Sequence, residues 1–488
     1  MSESNEARVL AAVPKGLLVG GVWHEPQPGR TLDVEDPSTG AVIATIFDAD
    51  EADAVRALDI AAATQSTWAA TAPRERGEIL RRTYEKMMER IDDLALLMTL
   101  EMGKPLAESR AEVAYAADYF RWFSEEAVRF GGRHSSSPDG TARILTMKQP
   151  VGPVLLVTPW NFPLAMGARK IGPAIAAGCT VIVKPAKQTP LSMHAIADIL
   201  IESGLPEGVL STITTSRSSA IVSAIIGDPR LRKLSFTGST EVGRVLVKQS
   251  AEALLRVSME LGGNAPFIVF EDADIEHAAD QAMLAKLRNN GEACTAANRF
   301  LVHRSVRDAF RDALVARFEK VVVGRGTESS TTLGPLIDGA AVAKVQELIT
   351  AALDGGASVA YTGSSSHEAG YFQQPVVLSD VAPNSRVVTE EIFGPVAPIV
   401  TFDTDDEALR YANASEYGLA SYVFTKDEAR ARRMYELLEY GMVAINRGVL
   451  SNPAAPFSGI KASGFGREGG SEGIDEYLEI KYVALNGI

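Results

Sequence analysis

The sequence predicts an α/β protein built from two doubly wound domains, each a mostly parallel sheet with helices on both faces. Three observations predict it. Short Val-rich apolar runs alternate with stretches whose apolar residues recur at three- and four-residue intervals. The alternation is clear from residue 151, breaks at Gly262-Gly263 and then restarts. Strands joined by helix-length segments pair in parallel, since the crossover returns the chain to the same edge of the sheet. Finally, 488 residues suffice for two or three domains.

Taken in order, residues 1–40 read as irregular, with a short apolar run at 16–19 and Pro/Gly turns. Residues 51–68 and 73–102 carry the helical period; Lys104-Pro105 breaks it and residues 108–130 resume it. The run Ser135-Ser136-Ser137-Pro138-Asp139-Gly140 is a turn-rich break, and residues 143–149 follow as a strand or arm. Strands are expected at 151–157, 180–184, 209–214, 233–237 and 256–261. Helices are expected at 165–177, 191–203, 218–226 and 240–250, the first two closed by Gly178 and Gly204. Past the break, residues 267–270 form a strand and Asp274 caps a helix running to about residue 288. Further strands are expected at 299–303, 358–362, 396–402, 421–425 and 442–445. Residues 473–485 are apolar and strand-like, suited to pairing with another subunit or within the chain.

Composition narrows the function. Lys and Arg total 48 against 62 Asp and Glu, a formal charge of −14. That balance argues against nucleic acid or an anionic membrane as the main partner, and leaves an anionic small substrate open. Two cysteines make no disulfide framework, and the six histidines lack zinc-type spacing, so no metal is expected. No apolar run reaches the roughly 18 residues of a membrane helix. The first ten residues lack the basic start and apolar stretch of a signal peptide. The expectation is a cytoplasmic enzyme.

Two cysteines stand in different company. Cys179, in an Ala-Ala-Gly-Cys-Thr-Val-Ile-Val run, reads as a small core residue. Cys294 lies in Asn289-Asn290-Gly291-Glu292-Ala293-Cys294, a small polar loop after a helix, where a thiol is either a nucleophile or inert. Glu260, at a strand end before Leu261-Gly262-Gly263, is either a general base or an ordinary paired carboxylate. The run Phe236-Thr237-Gly238-Ser239-Thr240-Glu241-Val242-Gly243 passes from strand to helix, where backbone N–H groups suit a pyrophosphate. Its glycine spacing matches neither the G-x-G-x-x-G fingerprint nor a Walker A loop. Lys184-Pro185-Ala186-Lys187 leaves another strand end, where a parallel sheet receives a nucleotide.

Together these pieces resemble the aldehyde dehydrogenase superfamily over nearly the whole chain. The matching motifs are Thr158-Pro159-Trp160-Asn161-Phe162-Pro163, Lys184-Pro185-Ala186, Phe236-Thr237-Gly238-Ser239 and Glu260-Leu261-Gly262-Gly263. Gly291 with Cys294, Glu390-Glu391-Ile392-Phe393-Gly394-Pro395, and Pro456-Phe457 with Lys461-Ala462-Ser463-Gly464 complete the set. The resemblance implies a Rossmann-like cofactor domain (residues 1–132 and 150–261) and a catalytic domain (262–448). It also implies a small β bridging and oligomerisation element (133–149 and 470–488) in a homodimer or homotetramer.

The resemblance further implies the chemistry. Cys294 attacks an aldehyde, and the Asn161 amide and the Cys294 N–H hold the oxyanion. Hydride leaves for a nicotinamide, and Glu260 activates the water that hydrolyses the thioester. Glu391 takes the nicotinamide ribose and Lys184 the adenosine ribose. Thr158, Pro159, Trp160, Ala186, Gly238, Ser239, Leu261 and Phe393 line the dinucleotide path. NAD-preferring relatives commonly carry Glu where this chain has Lys187. A lysine there attracts a 2′-phosphate, so NADP is expected to be preferred over NAD. The other reading of Lys187 is a solvent-facing side chain.

Within the superfamily the chain is most similar to the succinate-semialdehyde dehydrogenase branch. By that resemblance Arg169, Arg288 and Ser451 grip the substrate's distant carboxylate. Glutarate semialdehyde or a neutral aldehyde is the alternative substrate. The chain departs from the common pattern at Glu292, which replaces a Gln. A charge there either raises the pKa of the nearby thiol or faces away. Ala296 stands where some members have a second cysteine, so a disulfide switch is missing from this loop; Ser458 replaces a usual Gly.

Overall fold

The computed structural model describes residues 3–25, 29–364 and 369–486. The outermost ends of the expected domain ranges, residues 1–2 and 487–488, lie outside the described residues. Two large sheets form the frame. The first runs in the order Val22–His24, Leu17–Val19, Leu210–Thr212, Val181–Lys184, Val154–Val157, Lys233–Thr237, Arg256–Glu260, Gly464–Phe465. Its five central strands are parallel, and the flanking strands pair antiparallel. The second runs Ser358–Thr362, Val376–Ser379, Val396–Phe402, Ala297–His303, Ala265–Val269, Ala420–Phe424, Met442–Ile445, with only the Ser358–Thr362 edge antiparallel.

The Val-rich strands are buried throughout, as expected for a parallel sheet covered on both faces. Helix Ala165–Ala177 is buried along its whole length, which its small residues allow, and Gly178 closes it in the left-handed conformation (φ 93°). Register is what builds the site. Val157 pairs with Lys184, Phe236 with Val157, and Thr237 with Glu260. The loops after these strands therefore leave the sheet side by side at its C-terminal edge, where open α/β sheets bind ligands.

The third sheet joins Arg133–Ser136, Ala142–Pro150 and Leu478–Asn486. The last strand pairs within the chain, with Leu478 opposite Pro150 and Asn486 opposite Ala142. Its Ile480 and Tyr482 side chains are exposed. No helix among the described residues is long and apolar enough to cross a membrane.

Several local expectations are corrected. The described part of residues 1–40 is not irregular. Glu3–Ala12 is a helix, Leu17–Val19 and Val22–His24 join the first sheet, and Thr31–Asp36 pairs with Ala41–Phe47. These short pieces gain their order from tertiary contacts and not from periodicity. The helical stretch at 73–102 is two helices, Pro73–Glu89 and Ile91–Met102, broken at Arg90 (φ −108°, ψ 19°). Ser135 and Ser136 belong to a strand. Part of 473–485 is helical, Glu472–Asp475, and the strand starts at Leu478. Val376–Ser379 is a strand that no expectation covered.

Candidate active site

Cys294 sits half-buried in the loop between the turn Arg288–Gly291 and strand Ala297–His303. Two glycines allow that loop its position. A Cβ on Gly263 would meet the Cys294 carbonyl oxygen at 2.2 Å, so only glycine lets the end of the first sheet come this close. Gly291 has φ 81°, and a Cβ there would fall 2.5 Å from the Gly394 carbonyl carbon.

The thiol lines two cavities. The first, about 290 Å³, is walled by Pro159, Trp160, Asn161, Gly238, Ser239, Leu261, Glu391 and Phe393, all expected, together with Met166, Thr237, Gly262, Ala341, Lys344 and Ile392. Trp160 and Phe393 meet edge to face at 5.6 Å, and Phe393 holds a left-handed backbone (φ 54°). Ser239 caps helix Thr240–Ser250, accepting from the Val242 N–H at 3.4 Å. Half-buried Glu391 accepts from the Gly263 N–H at 3.0 Å, and burial pushes its pKa up to about 7.

The second cavity is narrow, about 20 Å³ of open space, and contains Arg169, Arg288 and Ser451 together with Tyr115, Phe162, Met166, Thr295 and Phe457. Arg288 donates to the Ser451 hydroxyl at 3.4 Å and lies 5.1 Å over the Phe162 ring. Arg288 and Phe162 also face a wider cavity of about 410 Å³ on their other side. Arg169 is not a solvated helix charge. It is buried, stacked 4.1 Å over Phe457 and ion-paired with Glu468.

Not every expected residue reaches these cavities. Lys184 is buried and donates to the Ser218 hydroxyl at 2.8 Å; burial lowers its pKa to about 8. Ala186 is half-buried and Lys187 exposed at the same strand end. Thr158 is buried beside Lys184, its N–H on the Lys184 carbonyl at 3.1 Å. Glu260 lies behind the first cavity, buried, with Oε2 unpartnered among the described residues. Burial and then the Glu468 charge hold its carboxyl well above the usual range, against the pull of Arg169 and Lys170.

Asn161 is held at both ends. Its side-chain amide donates to the Glu292 carbonyl at 2.9 Å, leaving the second amide hydrogen free beside Cys294. Its own carbonyl accepts from Lys104 Nζ at 2.8 Å, and Lys104 forms a buried ion pair with Glu112. Glu112 in turn accepts from the Leu164 and Ala165 N–H groups at 3.0 and 3.1 Å, where helix Ala165–Ala177 begins.

Glu292 faces away from the thiol. Its Oε1 accepts from the Ile337 N–H at 3.0 Å, and burial keeps the carboxyl well above the usual range, hence neutral. The Cys294 thiol is pushed up to about 12 by burial, which Arg169 opposes and Glu391 and Glu260 reinforce. The resting site therefore holds a protonated thiol, and burial disfavours the ionised form of Glu260.

Lys104, Glu112, Lys170 and Glu468 escaped the sequence reading. Lys170 and Arg169 share Glu468, and Lys170 also donates to Ser235 at 2.9 Å. The Arg169-Lys170 pair inside an otherwise apolar helix was the available signal; the partner of Lys170 lies 298 residues away.

A model of the aldehyde dehydrogenase family matches residues 23–483. The chain belongs to the aldehyde dehydrogenase family. Among curated members it is 53% identical over 444 residues to a succinate-semialdehyde dehydrogenase of Paenarthrobacter nicotinovorans, covering 91% of this chain and 99% of that one. It is 47% identical to a glutarate-semialdehyde dehydrogenase of Pseudomonas aeruginosa, covering 96% of this chain and 97% of that one. Among solved structures, an NADP-dependent enzyme of E. coli superposes with a TM-score of 0.96 at 44% identity, covering 100% of both chains. The two α/β sheets and the small third sheet are thus the aldehyde dehydrogenase fold.

Proposed function

We propose that this protein oxidises succinic semialdehyde to succinate, with NADP as the preferred dinucleotide and NAD as the second. The observation that carries the reading is the placement of Cys294 on the wall shared by two cavities. One is bordered by Gly238, Ser239 and Glu391, the other by Arg169, Arg288 and Ser451.

The first cavity suits a nicotinamide dinucleotide. A glycine turn leads into a helix N-terminus for the phosphates, Glu391 offers a carboxylate to ribose hydroxyls, and Trp160 and Phe393 supply an apolar wall. Lys187 is exposed at the strand end that carries Lys184, and its positive charge supports a preference for a 2′-phosphate. When bound, the dinucleotide supplies the acceptor for the hydride released from the carbon attached to Cys294.

The chain's residues do the rest. Cys294 loses its proton and attacks the aldehyde carbon. The free amide hydrogen of Asn161 and the Cys294 N–H receive the oxyanion; both are neutral donors, so neither depends on pH. The resulting thioester is attacked by water, whose proton Glu260 takes once ionised, and succinate leaves. Arg169 and Lys170 favour the ionised form of Glu260. In the second cavity Arg169, Arg288 and Ser451 hold the substrate's carboxylate.

The name of the glutarate-semialdehyde dehydrogenase relative supports a second reading, an acid one carbon longer. The 410 Å³ cavity beyond Arg288 leaves room for it. We further take residues 1–132 and 150–261 as the dinucleotide domain, 262–448 as the catalytic domain, and 133–149 with 470–488 as the surface of a homodimer or homotetramer in the cytoplasm.

A steady-state panel tests the whole reading: succinic semialdehyde, glutaric semialdehyde and butanal, each with NADP and NAD. The highest kcat/KM is expected for succinic semialdehyde with NADP. Equal values for butanal would overturn the acid-substrate reading, and a fully active Cys294→Ser variant would overturn the covalent one.

A further inference from the structure

Five residues besides Cys294 give the second cavity its polarity: Arg169, Arg288, Ser451, Tyr115 and Thr295. The first three were anticipated; Tyr115 was not. Its hydroxyl lies 2.6 Å from that of Tyr119. The two rings meet edge to face at 5.0 Å on adjacent turns of helix Leu106–Glu126.

Proton accounting gives this pair a direction. Tyr119 is fully buried, and among the described residues its hydroxyl has one hydrogen-bond partner, Tyr115. A buried O–H without an acceptor is costly, so Tyr119 donates to the Tyr115 oxygen. The Tyr115 proton is then left for whatever occupies the cavity. Ser451 repeats the arrangement on the other side: Arg288 donates to its oxygen, freeing its own proton. Both tyrosine hydroxyls also lie close enough to the Arg169 guanidinium to interact with its charge. A carboxylate is acceptor-only and takes about four hydrogen bonds. Arg169 has one edge committed to Glu468, so neutral hydroxyl donors can share the carboxylate with the two arginines.

We propose that Tyr115 is a specificity-determining residue, its hydroxyl donating to the distal carboxylate of an acid semialdehyde, with Tyr119 as the positioning residue that orients it. The inference rests on the reading of the second cavity as the carboxylate site. It adds a neutral donor, which favours an anion over an uncharged chain of the same length without adding charge to the site.

The test compares wild type, Tyr115→Phe, Tyr119→Phe and the double variant on succinic semialdehyde and on butanal. Tyr115→Phe is expected to raise KM for succinic semialdehyde about tenfold, with kcat and the butanal constants within twofold. Tyr119→Phe is expected to raise the same KM less, since Tyr115 keeps its hydroxyl but loses its orientation. The double variant should match Tyr115→Phe alone. An unchanged KM in Tyr115→Phe overturns the proposal, and so does an equal loss on both aldehydes, which would place the hydroxyl on the reacting oxygen instead. If wild type itself fails to prefer the acid over butanal, the carboxylate site fails and this proposal falls with it. A wild-type preference that survives in Tyr115→Phe defeats the tyrosine alone.

Discussion

The Asn161 side-chain amide donates to the main-chain carbonyl of Glu292, two residues before the Cys294 thiol, at 2.9 Å. The loop carrying the oxyanion donor and the loop carrying the nucleophile are thereby one unit. Asn161→Ala should lower kcat by about 10²–10³, the usual cost of one oxyanion donor. Glu292→Gln should stay within twofold of wild type, because the buried carboxyl is already neutral and its Oε1 contact to Ile337 can be kept by an amide oxygen. Steady-state kinetics on both variants checks the pair.

The nucleophile should be slow to ionise. Its thiol is pushed up to about 12 by burial, and the reactive form is the thiolate. Below that value the thiolate fraction rises about tenfold per pH unit, so alkylation of Cys294 by iodoacetamide should keep accelerating from pH 7 to pH 10 without a plateau. A plateau near pH 7 would mean an activated thiolate at rest. Cys179 is fully buried and should stay unlabelled in the folded protein.

Lys187 should decide the dinucleotide. Lys187→Glu is expected to lower kcat/KM for NADP by tenfold or more and to leave NAD equal or better, since a carboxylate repels the 2′-phosphate and accepts from a 2′-hydroxyl. An unchanged ratio would mean that Lys187 does not read that position.

The two arginines should separate. Arg288 makes only a 3.4 Å bond to Ser451 and lies over Phe162, so Arg288→Ala should raise KM for succinic semialdehyde tenfold or more with little loss of stability. Arg169 neutralises Glu468 in a buried pair. Arg169→Ala should raise the same KM and also lower stability, by less than the about 3–5 kcal/mol of a fully broken buried pair, because Lys170 keeps its ion pair with Glu468. Urea melts and kinetics with succinic semialdehyde and butanal distinguish the two effects.

Acid should weaken the N-terminal attachment through His194. Its ring lies 2.9 Å from the Pro14 carbonyl and 3.0 Å from the Thr214 hydroxyl, and burial lowers its pKa to about 4. The unfolded chain takes this proton near pH 6.5, so it binds more protons than the folded chain between those values. Stability therefore falls as pH drops from about 6.5 towards 4, by about 3 kcal/mol at most from this group. Urea titrations at pH 7 and pH 5 should show a smaller loss in His194→Gln than in wild type.

Much of the frame could be read before the coordinates. Strands such as Val154–Val157 and Val181–Lys184 announce themselves by short Val-rich runs that stop near a Pro, because a strand buried on both faces has few polar positions to interrupt it. Cys294 and Glu260 gained meaning only from the order of several motifs, since neither local segment distinguishes a working group from an inert one. Lys104, Glu112 and Glu468 were out of reach for a different reason. A buried charge is recognisable by its partner: Glu468 meets Arg169 and Lys170 only in the fold, and Lys104 and Glu112, eight residues apart, lack the three- or four-residue spacing of a helical ion pair. Helix Glu3–Ala12 was missed because its short polar turns are stabilised by docking, as in the Arg8–Asp93 ion pair, and not by an apolar period.

Gly464 pairs with Glu260 at the edge of the first sheet. That strand follows the whole second sheet in sequence, yet it borders a carboxylate that precedes that sheet. A ribosome must therefore deliver the strands of both large sheets before this edge can close. Nascent chains halted short of that point carry every motif up to Pro456-Phe457 and still lack a finished active centre.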